Sequence, residues 1–241
     1  MTRPLNRLGP CRCGTLPQPW YDRVGTMDTT TRSDPPVGLR YLLLADISGY
    51  TAFLNGVERE HGVDFSGGIP AGFRILGTLL DAVVEGVQPT FALVKLEGDA
   101  VFAVAPAEAL DGRGVEVLER LQGVYRTFRA AREAAKGTSD HVCTACPAVS
   151  YVDLKMVLHR GQTVRQSVGA ETELLGPAVN VAHRLLKNSV QARLGYRPYL
   201  FLTDAASGGL GLSGLGLEHD EEYPDVGRIS GRVVDLGLAG A

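Results

Sequence analysis

Apolar positions along the chain gather into short runs and helical stripes, and the first of these begins near residue 39. RYLLLAD is a short apolar run closed by a carboxylate, the pattern of a buried strand. In SGYTAFLNGVEREHG, residues Tyr50, Phe53, Leu54 and Val57 recur at helical spacing, with Ser48 placed to cap the helix. A Gly-rich break at Ser66–Gly72 leads into a second helix, whose apolar face carries Ile75, Leu76, Leu79, Leu80, Val83 and Val84. TFALVKLEGDAVFAVAP sets two apolar stretches around the polar turn EGD and predicts a hairpin. A third helix is expected over Val115 to Lys136. The polar loop GTSDHVCTACP then precedes a strand pair around VDLKMVLHRG and TVRQSVG. AVNVAHRLLKNSV reads as a helix and RPYLFLTD as a strand. The tail adds a Gly/Leu-rich segment and a last strand near GRVVDL. The order β-α-α-β-β-α-β-β-α-β favours helices packed on a largely antiparallel sheet, an α+β fold.

Composition narrows the function classes. The 241 residues are 44% hydrophobic and 21% charged, enough apolar material for one sizeable domain. A net charge of −3 gives no broad nucleic-acid-binding surface. No apolar run reaches the length of a bilayer span and no secretory leader is recognisable, so a cytoplasmic protein without membrane contact is expected. Four cysteines do not suggest a disulfide scaffold. Residues 1–38 mix Pro, Gly, Arg and Thr without periodicity and read as a disordered tail, with residues 39–241 as the folded domain. Met27 offers a second start site.

The candidate chemistry lies in two carboxylates. Asp46 ends the first apolar run, and Asp99 sits at the predicted hairpin tip. If that strand lies beside the hairpin, both reach one sheet edge, where a divalent metal is a natural counter-ion. Gly49 and Gly98 allow close backbone approach to a phosphate. An Asp at a strand end or in a GD turn serves equally as a cap or turn residue.

Four motifs occur in order: ADISGYTAFL, KLEGDAVFAV, LHRGQTVRQSVG and LLGPAVNVAHRLL. Together they resemble class III nucleotidyl cyclases, closest to a bacterial branch of cyclase-like domains of unknown function. The likeness spans about Tyr41 to Asp204. It implies a ferredoxin-like palm with Mg²⁺ or Mn²⁺ held by Asp46, Asp99 and the Ile47 backbone. The backbone of Ile47, Ser48, Gly49 and Tyr50 is then the phosphate cradle. Lys95 and Glu173 match the purine-selecting positions and make ATP the expected nucleoside triphosphate. Asn180 and Arg184 match the ribose-orienting and transition-state residues. In such cyclases these come from the opposite subunit, so a head-to-tail homodimer is implied.

Several positions depart from that pattern. Glu97 stands where many cyclases carry an apolar residue, and His183 where a small one is usual. Glu173 is longer than the common Asp. The family's C-terminal phosphate-binding cation has only Arg228 and Arg232 as candidates. Two functions follow: ATP cyclisation to cyclic AMP and pyrophosphate, or a regulatory nucleotide-binding module without turnover. Separately, His141, Cys143 and Cys146 have zinc-ligand spacing but supply three ligands, with Cys11, Cys13 or a partner subunit as sources of a fourth. A CxxC pair can also be redox-active, but no thioredoxin-like pattern surrounds this one, and a loop with plain reduced thiols is the simpler alternative.

Overall fold

The computed structural model describes residues 36–62, 66, 69–136, 146–195 and 198–237. The tail read over residues 1–38 lies outside them up to residue 35, as does Met27. Strand β1 (Val37–Ser48) accounts for the unbroken apolar run. Successive side chains of a strand point to opposite faces. Tyr41, Leu43, Ala45 and Ile47 enter one core, and Leu42 and Leu44 a second core on the other face. With both faces covered, β1 has no polar alternation between Tyr41 and Ala45.

The sheet grows outward from β1. It pairs antiparallel with β3 (Ala100–Pro106) and β4 (Asp153–Val168), and β2 (Ala92–Glu97) lies beyond β3. On the other side, β6 (Tyr199–Thr203) runs parallel to β4, followed by β8 (Gly227–Asp235) and β7 (Leu217–Tyr223). The far half of β4 pairs instead with β5 (Glu171–Leu175). The strand order is β2-β3-β1-β4-β6-β8-β7, and among the described residues only the β4–β6 pairing is parallel.

Helices cover both faces. On one lie α1 (Tyr50–His61), α2 (Ala71–Val87), α3 (Ala107–Leu110), α4 (Gly114–Lys136) and α7 (Asp204–Leu210), all contributing to the larger core. On the other lie α5 (Pro177–Leu185) and α6 (Val190–Leu194). The α+β fold expected from the pattern is the one observed. Among the described residues, no helix is long and apolar enough to cross a membrane.

Three local expectations are corrected. The strand pair after the cysteine loop is one continuous strand, β4, which passes through Gly161 without turning. A Cβ at Gly161 would lie 2.6 Å from the Ala178 Cβ, so this glycine makes room for α5. The helix expected over AVNVAHRLLKNSV stops at Leu185. Asn188 breaks it, because its amide oxygen accepts from the Val190 N–H and the Tyr199 hydroxyl, at 3.0 and 2.9 Å. The Gly/Leu-rich segment holds α7 and leads into β7, neither of which the periodicity announced.

Candidate active site

The two carboxylates meet where β1 passes the β2–β3 turn. Asp46 pairs in register with Ala100, and the Ile47 N–H donates to the Asp99 carbonyl at 3.1 Å. Gly98 takes φ +64°, the left-handed conformation that this tight turn needs. β1 does not end at Asp46 but runs on to Ser48. Asp46 therefore follows Leu42 and Leu44 on the face that α5 covers.

Burial and the neighbouring Asp46 charge raise the Asp99 carboxyl above the usual carboxylate range, against the opposing pull of a backbone bond and Lys155. The two anions thus share one electrostatic field. Among the described residues, no group of three or more His, Cys, Asp or Glu side chains converges. Two neighbouring carboxylates supply hard oxygen donors for an Mg²⁺-type ion, which keeps several waters and takes further oxygens from phosphate; the Lys155 ammonium already on Asp46 competes with such an ion.

Lys155 is a component that the sequence reading passed over. It stands opposite Asp46 in register, with Nζ 3.0 Å from Oδ2, and it also donates to the Leu186 carbonyl at 3.0 Å. The signal was present: a single lysine inside the apolar run LKMVL must find a partner where both faces are covered.

The turn after β1 forms the adjoining wall. Ser48 is the last residue of the strand and not the expected cap. Gly49 holds the cap position at φ 84° and, as a glycine, brings no side-chain cap to the helix. The first turn of α1 thus gets no side-chain cap from its own cap residue, and a helix N-terminus of this kind suits an anion. A Cβ at Gly49 would press to 3.1 Å from the Tyr151 carbonyl. The Tyr50 hydroxyl donates to the Gly72 carbonyl at 3.0 Å. Its pKa is pushed up by burial and by the Asp99 charge, which marks how near this turn lies to Asp99.

Lys95 and Glu173 come together although three strands separate β2 from β5 in the sheet order. Lys95 Nζ lies 3.5 Å from Glu173 Oε2 and 3.4 Å from Glu97 Oε1. Burial acts to lower the Lys95 ammonium, but the two glutamates outweigh it and hold the pKa above the ordinary lysine value. Glu97 in turn meets His183 Nε2 at 2.9 Å. Two of the departures from the cyclase pattern, Glu97 and His183, therefore contact each other.

Asn180 and Arg184 stand one turn apart on the exposed side of α5, opposite the buried Ala178, Ala182 and Leu185. They line an open cleft of about 600 Å³ with His183, Lys187 and Asp225. Arg184 pairs with Asp225. Among the described residues, no hydrogen bond or ion pair joins Asn180 or Arg184 to Asp46 or Asp99. Arg228 and Arg232 pair with Asp220 and Glu218 of β7. His141, Cys143 and the Cys146 side chain lie outside the described residues.

This architecture is that of class III adenylyl and guanylyl cyclase domains. The chain superposes on a bacterial light-regulated adenylyl cyclase with a TM-score of 0.58 at 16% identity, covering 85% of this chain and 53% of that one. It thus spans about half the length of that light-regulated protein. The guanylyl cyclase Cya2 gives a TM-score of 0.58 at 9% identity, covering 83% and 91%. The adenylyl cyclase CyaB from P. aeruginosa gives 0.57 at 13%, covering 83% and 95%. These likenesses concern the fold.

The chain belongs to the family of the uncharacterized protein Rv2561/Rv2562 of Mycobacterium tuberculosis (strain ATCC 25618 / H37Rv). The two are 33% identical over 168 residues, 68% of this chain and 74% of that protein. Residues 76–194 also match a family described as a protein of unknown function, DUF2652.

Proposed function

We propose that this chain is a nucleotidyl cyclase that converts ATP to cyclic AMP and pyrophosphate, acting as a head-to-tail homodimer. The observation that carries the reading is the meeting of Asp46 and Asp99 at one sheet edge, beside a helix start whose cap residue is a glycine. In this reading the two carboxylates and the Ile47 carbonyl hold Mg²⁺ or Mn²⁺. When bound, these ions neutralise phosphate charge and make the ribose 3′-hydroxyl easier to deprotonate. The backbone of Ser48, Gly49 and Tyr50 holds the phosphates.

Lys95 donates to a purine ring nitrogen, and Glu173 accepts from an exocyclic amine, a pairing that suits adenine. Asn180 of the partner subunit orients the ribose, and the partner subunit's Arg184 stabilises charge on the phosphate oxygens. The 3′-hydroxyl gives its proton to water, its oxygen bonds to the α-phosphorus, the bond from that phosphorus to the β-phosphate oxygen breaks, and pyrophosphate leaves.

A second reading is a regulatory nucleotide-binding module without turnover. One observation favours it: Arg184 is paired with Asp225 of its own chain, which withdraws the guanidinium from other anions. Kinetics separate the two. On the cyclase reading, Arg184→Ala lowers kcat far more than it weakens nucleotide binding, by about a hundredfold or more. Nucleotide binding with no turnover in the unmodified protein supports the module instead.

A further inference from the structure

Glu97 and His183 replace an apolar residue and a small one of the cyclase pattern, and they touch. The His183 ring lies between β2 and α5 with each nitrogen facing an acceptor. Nδ1 is 2.8 Å from the Val179 carbonyl, and Nε2 is 2.9 and 3.1 Å from the two Glu97 oxygens. Its ring also meets Phe102 edge to face, with centroids 5.2 Å apart. The imidazole is therefore held from three sides. On its other side, the Glu97 carboxylate reaches Lys95, which Glu173 also holds. The result is a chain, His183–Glu97–Lys95–Glu173, that begins on α5 and ends on β5.

We propose that Glu97 and His183 are positioning residues for base recognition: His183 fixes the Glu97 carboxylate, and Glu97 fixes where the Lys95 ammonium is presented beside Glu173. The inference deepens the cyclase reading and rests on it. Lys95 has three N–H donors. Two are directed to carboxylates in this arrangement, which leaves the third for an acceptor on a nucleobase edge. Without His183, Glu97 loses its anchor and is free to close on Lys95. It then competes with the base for the ammonium and draws it away from Glu173. Removing both members of the pair removes the competitor along with the anchor. The geometry thus calls for strong coupling between the two positions.

The test is a double-mutant cycle on the full chain with His183→Ala, Glu97→Leu and the double variant. Equilibrium binding of ATP and of GTP is measured with Mn²⁺, and thermal melting checks the fold of each variant. His183→Ala is expected to weaken ATP binding about tenfold and to narrow the ATP-to-GTP affinity ratio, while the double variant recovers most of both. Glu97→Gln, whose amide still reaches His183 and Lys95, is expected to stay within about threefold of the unmodified protein. Additive effects, or an ATP-to-GTP ratio indifferent to His183, overturn the positioning role and leave the cyclase reading intact. An unmodified protein that binds no nucleotide overturns both.

Discussion

His159 lies on β4 with Nδ1 3.0 Å from the Thr203 hydroxyl, and burial lowers its pKa from 6.5 to about 4. The folded protein therefore keeps this ring neutral where the unfolded chain would take up a proton. Stability from the neutral ring is complete above pH 6.5 and is lost as the pH falls from there towards 4. Between pH 7 and pH 5 the protein is expected to lose up to about 2 kcal/mol more than the His159→Gln variant. Urea unfolding at the two pH values measures this; equal losses would contradict it. At this scale the sequence is only partly legible. Asp46 and Asp99 announce themselves by their motifs, whereas Lys155 does so only as an odd charge in an apolar run. The Glu97–His183 contact is hidden, because its members are 86 residues apart and periodicity carries no information about pairs at that distance.

Among the elements, α5 depends on how closely it approaches β4. Pro177 opens the helix, and Ala178, Ala182 and Leu185 form its buried side. Gly161 provides the clearance, since any Cβ there would collide with Ala178. Gly161→Ala is expected to cost about 1–3 kcal/mol by overpacking. It should also push outward the helix that carries Asn180, His183 and Arg184. Chemical denaturation measures the first effect, and an unchanged midpoint would show that the helix yields freely. The same glycine explains a misreading. In sequence, HRGQT resembles a turn between two strands, and only the helix laid against it reveals a continuous strand. The long helices α2 and α4 were legible because their apolar stripes run for several turns. The short α7 and β7 were not, since Gly-rich segments show little periodicity.

The whole molecule divides the candidate site. Asp46 and Asp99 lie at the β1 and hairpin edge, whereas Asn180 and Arg184 look outward from α5 into a cleft that neither carboxylate lines. A head-to-tail pair of chains is the simplest way to bring both halves to one nucleotide. On that account, Asp99→Ala is inactive alone and Arg184→Ala keeps about a hundredth of the activity or less. Mixed subunits recover activity, because every heterodimer holds one site free of either substitution. A mixture as inactive as its components, with mixed dimers present, would exclude the shared site. The order of four motifs made the fold readable from sequence. The assembly was not readable from composition or spacing and entered only through the family resemblance.

The most direct test of the cyclase reading is turnover by the purified chain. ATP and GTP are each supplied with Mg²⁺ or Mn²⁺, and the products are resolved by mass. The account predicts cyclic AMP and pyrophosphate from ATP, and no cyclic product from the Asp99→Ala variant. A protein that forms no cyclic nucleotide under any of these conditions, or an Asp99→Ala variant that forms it undiminished, would contradict it.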